Sequence, residues 1–111
     1  MNPFLYNITF KLSGHLSASW LSNMQEKYLP ACIIENIPLS AQINRIMLDD
    51  LDGDHTYAVQ FTFSSQGVFE NEGKEILKKL VILIDEDFKN QYVYFGTLME
   101  VVHSVYKENS I

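Results

Sequence analysis

Possible metal ligands are densest in residues 47–59, MLDDLDGDHTYAV. Carboxylate oxygens are the ligands that Ca²⁺ prefers in proteins, so four clustered aspartates could form a cation site. An EF-hand loop starting at Asp50 would need glycine at its sixth position and glutamate at its twelfth, where the sequence has His55 and Phe61. We therefore predict that this stretch binds no metal.

Asp52 and Gly53 have the spacing of a β-hairpin turn. They stand between AQINRIMLDD and HTYAVQFTF, two runs rich in strand-forming residues. A type I′ turn needs positive φ at both central positions, and aspartate and glycine tolerate that conformation. We predict a type I′ turn at a solvent-exposed hairpin tip.

Side chains that could act in catalysis are scattered through the rest of the chain. Cys32 is the only thiol, and the imidazoles are His15, His55 and His103. Their spacing pairs no thiol with an imidazole, and the sequence contains no CxxC, no i, i+4 histidine pair and no glycine-rich phosphate loop. We predict no catalytic residue, no metal and no cofactor, and we interpret Cys32 as a small buried apolar residue.

Composition favours one domain. The 111 residues are 47% hydrophobic, which suits one core, and we expect it to span about residues 4–102 with a tail at 103–111. The net charge is −6 and the basic residues are dispersed, so we expect no nucleic-acid partner. No stretch approaches the length of a membrane span or resembles a signal peptide, so we expect a cytosolic protein with no membrane partner.

Hydrophobic periodicity predicts six elements. Alternation of apolar and polar residues predicts strands at 4–12, 41–50, 55–63 and 91–102. Helical spacing predicts helices at about 16–29 and 66–88. Pro30 either ends the first helix or opens a short second piece through Ile34. The run LVILI, residues 80–84, is apolar on all sides, and we favour a helix covered on a second side over a strand.

This order, βαββαβ, predicts an α+β ferredoxin-like sandwich. Its usual form is a four-stranded antiparallel sheet with both helices on one face. The residues that we expect to be buried between the sheet and the helices are Phe10, Trp20, Val59, Phe61 and Phe95. The opposite sheet face should stay uncovered.

The uncovered face is our candidate binding surface. Its predicted ligand-binding residues are Asn7, Thr9, Asn44, Gln60, Thr62 and Tyr94. A mixed aromatic and polar surface has the composition of protein interfaces, and LVILI also needs a second neighbour, so we predict a homodimer. Its candidate interface residues are Leu83, Tyr92, Tyr94 and Leu98. The alternative is a monomer whose tail, residues 101–106, folds back over this surface.

Successive blocks of the sequence resemble the DUF4286 family of small bacterial proteins of unknown function, found largely in Bacteroidetes. The blocks are LYNITF, WLSNM followed by YLP, AQINRIML, HTYAVQFTF and YVYFGTLMEVV. The resemblance runs from about Leu5 to Val102 and implies a ferredoxin-like domain similar to the dimeric α/β barrels. It brings no established catalytic residues. At two places where the family pattern commonly has histidine and arginine, this chain has Tyr28 and Gly96.

Three functional hypotheses fit these observations. The first is a non-enzymatic homodimeric domain that binds an unknown small molecule or protein. The second is a cofactor-independent monooxygenase or isomerase of the dimeric α/β-barrel type, with Asn7, Thr9, Gln60 and Tyr94 lining a pocket. The third is a regulatory ligand-sensing domain within a larger assembly. We favour the first, and a cavity with converging polar groups would favour the second.

Overall fold

The protein is described here by a computed structural model, which covers residues 2–33, 38–47 and 52–107. Its strands form a four-stranded antiparallel sheet in the order β2-β3-β1-β4. The strands are β1 (Phe4–Ser13), β2 (Ser40–Ile46), β3 (Asp54–Phe63) and β4 (Tyr92–Glu100). Helical segments follow β1 and β3 along the chain and pack on one sheet face. This is the predicted ferredoxin-like arrangement, which is therefore confirmed.

The first helical segment continues through Pro30. A 3₁₀ turn (Gly14–Leu16) leads into α1 (Ser17–Asn23), a π-helical turn (Met24–Tyr28) and α2 (Leu29–Ile33). Pro30 follows this π-helical turn in a helical run that is unbroken from Gly14 to Ile33, so it does not end the first helix. Ile34, the predicted end of the second piece, lies outside the described residues.

The second helical segment begins at a serine cap. It consists of α3 (Gln66–Val68), a π-helical turn (Phe69–Gly73) and α4 (Lys74–Phe88). The Ser65 hydroxyl accepts a hydrogen bond from the backbone N–H of Val68 at 3.3 Å. This contact satisfies one of the free N–H groups at a helix start.

The apolar run LVILI is helical and belongs to α4. Leu80 and Ile84 are fully buried, and Val81 and Leu83 are half-buried, but Ile82 is 63% exposed. The prediction of a helix is confirmed. The prediction that a second side is covered is wrong for Ile82 within this chain.

The core lies between the helices and the central strands β1 and β3. Ile8 pairs with Val59, and both are fully buried on the helix-facing side of the sheet. Trp20 of α1 packs on the ring of Phe10, with 5.3 Å between ring centroids. Phe61, the next helix-facing residue of β3, is 1% exposed. The predicted burial of these residues is confirmed.

Phe95 is the exception among the predicted core residues, because it is 63% exposed. The register pairs it with Thr9, whereas Phe10 pairs with Tyr94. Neighbouring residues of a strand point to opposite faces, so Phe95 lies on the uncovered face. Its predicted burial is wrong because the alternation within β4 defines two faces without saying which one meets the helices.

The connection between β2 and β3 joins antiparallel strands, as predicted. Gly53 has φ of +77° and its carbonyl accepts a hydrogen bond from the Gly14 N–H at 2.9 Å. The φ of Asp52 depends on the position of Leu51, which lies outside the described residues, so the type I′ turn stays a prediction. Asp49 and Asp50 lie outside the described residues.

Replacing Asp52 and Asp54 together with asparagine is expected to leave the urea midpoint of unfolding almost unchanged. The Lys11 ammonium is 3.3 Å from Asp52 and 3.7 Å from Asp54, but exposed ion pairs are screened by solvent and contribute little. The backbone N–H of Asp54 lowers the pKa of Asp52, which stays charged at neutral pH. A melting temperature that rises with calcium, and no longer does so in the double variant, would contradict the prediction of a metal-free turn.

Candidate functional site

The open face is the sheet surface opposite the helices. Cross-strand pairing defines it, because outward-pointing residues of one strand pair with outward-pointing residues of the next. One row crosses all four strands and contains Gln42, Gln60, Asn7 and Thr97 in this order. The neighbouring row contains Asn44, Ala58, Thr9 and Phe95. The centre of the open face therefore consists mainly of side-chain amides and hydroxyls.

Hydrogen bonds connect part of this polar centre. Gln42 Nε2 donates to Gln60 Oε1 at 3.2 Å, and Asn7 Nδ2 donates to Thr9 Oγ1 at 3.2 Å. The first bond joins β2 to β3, and the second lies within β1. These two hydrogen bonds therefore partly fix the orientation of the central amides in the single chain.

Asn7 Oδ1 is a buried acceptor that has no hydrogen-bond partner among the described residues. A buried polar atom without a partner costs about 1 to 3 kcal/mol. This atom lies in the middle of the open face, on a central strand. An additional donor at this place would remove that cost.

The β4 side of the open face is apolar. Val93 and Phe95 are 65% and 63% exposed, and Met99 is also exposed. These three residues alternate along β4, and they lie beside Lys11, Thr9 and Leu5 of β1. Exposed apolar side chains next to a polar centre make a surface of the composition found at protein interfaces.

Charge on the open face is confined to one end. Lys11 and Asp54 are the charged residues at its described strand positions, and their side chains form an ion pair at 3.7 Å. The centre has no titratable group that could act as a general base near neutral pH. The arrangement is suited to hydrogen bonding with a neutral polar group.

Five of the six predicted ligand-binding residues lie on the open face, and Tyr94 does not. The five are Asn7, Thr9, Asn44, Gln60 and Thr62. The Tyr94 ring lies on the helix-facing side, 6.0 Å from the Phe10 ring between centroids. The placement of Tyr94 on the open face is therefore wrong, for the same reason as the burial of Phe95. Whether the five residues bind a ligand stays a prediction.

The four predicted interface residues lie on the helix-facing side of β4 or on α4. Leu83 and Tyr92 are half-buried against the core. The Tyr92 hydroxyl donates to Asp85 at 2.6 Å, and burial together with this bond raises the pKa of Tyr92. Tyr94 and Leu98 are more exposed.

The open face also contains residues that were not among the predicted site residues, among them Gln42, Val93, Phe95 and Thr97. Gln42 could have been found from its alternation with Ile43 in β2. The three residues of β4 required the register between β4 and β1.

Two of the possible nucleophiles and bases, Cys32 and His15, have partners of their own. Cys32 is buried under α4, its Sγ is 4.0 Å from the Ile76 carbonyl oxygen, and burial raises the pKa of its thiol. A buried thiol with a raised pKa is a poor nucleophile. The His15 ring is hydrogen-bonded to the Ser13 hydroxyl at 2.7 Å. Within residues 2–33, 38–47 and 52–107, no three His, Cys, Asp or Glu side chains form a group that could hold a metal.

Tyr28 and Gly96, which differ from the family pattern, have structural roles on the helix side. The Tyr28 hydroxyl donates to Asp87 at 2.5 Å, and burial and this bond raise the pKa of Tyr28. A Cβ at position 96 would overlap the hydroxyl of Tyr6, so glycine leaves room for that ring. Both positions therefore face the helix side of the sheet and add no side chain to the open face.

None of the described helices has the length and apolar character needed to cross a membrane.

Solved structures with the same fold share little sequence with this chain. A dimeric ferredoxin-like protein from an uncultured marine organism has a TM-score of 0.71 and 15% identity, over 95% of this chain and 99% of that one. SnoaB, a cofactor-independent oxygenase from Streptomyces nogalater, has a TM-score of 0.66 and 10% identity, over 96% and 100%. NE2512 of Nitrosomonas europaea, a protein of unknown function, has a TM-score of 0.67 and 9% identity, over 98% of each chain. At these identities the likeness shows the fold alone.

Sequence comparison with families is more specific. No curated protein sequence matched the chain. The model of the family described as Domain of unknown function (DUF4286) matches residues 3–102, from the residue before β1 to just past the end of β4. Since this match covers nearly the whole chain, the protein belongs to the DUF4286 family.

Proposed function

We propose that the protein is a non-enzymatic binding domain that acts as a homodimer, with the open faces of two copies packed on each other. The observation that carries this proposal is the exposed apolar row of β4 beside a polar centre. A monomer leaves Val93 and Phe95 in water, and burying such side chains favours association by about 25 cal/mol per Å² before the costs of binding are subtracted.

A second copy would also supply hydrogen-bond partners. In a two-fold interface, each open face meets the same surface on the partner. The amide nitrogens of Gln42 and Gln60 and the hydroxyl of Thr97 are donors that the partner's copy of this surface would bring to the interface. The likeness to proteins described as dimeric ferredoxin-like supports this assembly. The cytosolic location expected from the sequence stays a prediction.

The ligand of this domain would be a small neutral molecule held between the two sheets. Amides and hydroxyls can donate and accept hydrogen bonds without a charge, and Phe95 of each copy adds an apolar wall. The ion pair between Lys11 and Asp54 neutralises the one charged end of the face.

An oxygenase or isomerase has weaker support. The described centre of the open face holds amides and hydroxyls, and proton abstraction needs a group whose pKa lies near the working pH. The likeness to the oxygenase SnoaB is a likeness of fold and brings no catalytic group to these positions.

Replacing Gln60 with arginine is expected to convert the dimer into a folded monomer. Gln60 is half-buried near the middle of the open face, so an arginine there would place a charge without a counter-charge in the interface. Sedimentation at micromolar concentration should give twice the 12.8 kDa chain mass for the unmodified protein and the single chain mass for the variant.

The matched control is Gln25→Arg, which adds the same charge at an exposed position of the first helical segment. This variant should remain dimeric. A monomeric unmodified protein, or a Gln60→Arg variant that stays dimeric, would contradict the proposed assembly.

A further inference from the structure

Strand β4 is uncovered on more than one side. It lies at the edge of the sheet, so its outer backbone groups face no other strand in the described part of the chain. Such an edge readily pairs with another extended segment. Face-to-face packing of two open faces would cover only one side of β4 and would leave its edge and its helix-facing side exposed.

An apolar groove lies on that helix-facing side, between α4 and β4. It has a volume of about 360 Å³ and is lined by Leu77, Lys78, Val81, Ile82 and Tyr94. Ile82 is 63% exposed and Tyr94 is 45% exposed. Ile82, the residue of LVILI that has no covering neighbour in this chain, therefore lines this groove.

The segment after β4, residues 101–107, has the complementary character. The Val101 N–H donates to the Pro3 carbonyl at 3.0 Å and extends the pairing of β4 with β1 by one residue. Beyond it, residues 102–107 make no backbone hydrogen bond to the described residues. Val102, Val105 and Tyr106 are each more than three-quarters exposed.

The segment does not cover the groove of its own chain. It leaves β4 after Glu100, whereas the groove lies beside Tyr94, which is about 20 Å away along the strand at roughly 3.3 Å per residue. A return would need a tight reversal of the chain. The sequence from Glu100 to Lys107, EVVHSVYK, has Ser104 as its one turn-favouring residue. Because Val102, Val105 and Tyr106 are exposed, the alternative of a tail folded back over its own sheet is wrong for residues 102–107.

We propose that residues 101–107 of a second copy bind along the free edge of β4 and place the apolar side chains of one face of this added strand in the groove. This proposal rests on the homodimer proposed above. Addition of a strand to a free sheet edge is a common mode of peptide recognition. Seven extended residues span about 23 Å, which is enough to run along most of β4. In a two-fold dimer the exchange is reciprocal, so both grooves are filled.

Cross-linking between chains tests this contact directly. In a Cys32→Ala background, Ile82→Cys protein is mixed with each of three tail variants, Val102→Cys, Val105→Cys and Tyr106→Cys, and is oxidised with glutathione disulfide. We expect mass spectrometry to identify a disulfide between position 82 of one chain and at least one tail position of the other. The matched control is Glu86→Cys, an exposed position of α4 outside the groove, which should cross-link far less.

Two outcomes distinguish a failure of the tail exchange from a failure of the homodimer proposal. If the protein is dimeric but position 82 cross-links to the tail no better than position 86, the exchange is wrong and the dimer stands. If the protein is monomeric, both proposals are wrong. As a second measurement, removal of residues 102–111 should weaken dimerisation about tenfold or more while the circular dichroism spectrum stays unchanged. An unchanged dissociation constant would also overturn the exchange.

Discussion

Replacing Phe61 with alanine is expected to lower the free energy of unfolding by about 3 to 5 kcal/mol. Phe61 is 1% exposed and lies near the end of β3 on the helix-facing side. The substitution removes the transfer free energy of the ring and leaves a cavity that the surrounding side chains fill only in part. A small domain has a total stability of about 5 to 15 kcal/mol, so this variant should be close to unfolding.

Urea denaturation followed by circular dichroism measures this loss. Leu39→Ala is the control, because it truncates an exposed apolar side chain outside both the core and the open face. The loss for Phe61→Ala should not depend on protein concentration, since the cavity forms within one chain. A nearly neutral Phe61→Ala variant would mean that Gln60 and Thr62, and not Phe61, point into the core.

Phe95→Ala is expected to weaken the proposed dimer by about thirtyfold or more, which corresponds to about 2 kcal/mol of association free energy. Phe95 is the largest exposed apolar side chain on the open face. Aromatic residues that become buried at the centre of an interface commonly carry much of its binding energy. The fold of the single chain should be unaffected, because the ring makes little contact with its core.

The dissociation constant from sedimentation equilibrium checks this expectation. Leu39→Ala serves as the control, since Leu39 is 65% exposed but precedes β2 outside the strand positions of the open face. Its dissociation constant should match that of the unmodified protein. Equal dissociation constants for Phe95→Ala and Leu39→Ala would show that the open face is not the contact.

Local patterns determined most of the secondary structure. The alternation in β1 and β3 identified both strands and the faces that meet the helices, because one face of each carries large apolar residues and the other carries amides and hydroxyls. The helical spacing after Ser65 likewise identified α4 and its buried residues Leu80 and Ile84. In these segments, sequence pattern and burial agree since a single apolar stripe meets a single core.

Local pattern did not predict the contacts of the turn or the orientation of the two faces of β4. Asp-Gly indicated a hairpin, but the hydrogen bond between the Gly14 N–H and the Gly53 carbonyl is a long-range contact that no local pattern predicts. Both faces of β4 carry aromatic residues, so its periodicity gave no preference between Tyr94 and Phe95. Its pairing with β1 decides the matter, because Phe10 is buried and Tyr94 is its partner.

The sequence by itself determined the order of the elements, the antiparallel sheet covered on one side, and five of the six residues proposed for the open face. Only the tertiary structure decided that Phe95 belongs to that face and Tyr94 to a groove under α4. It also decided that Asn7 Oδ1 is buried without a partner among the described residues. The physical reason is that an alternating pattern is a property of one strand, whereas the face that is covered, and the polar atoms left unpaired on it, depend on which strands lie side by side.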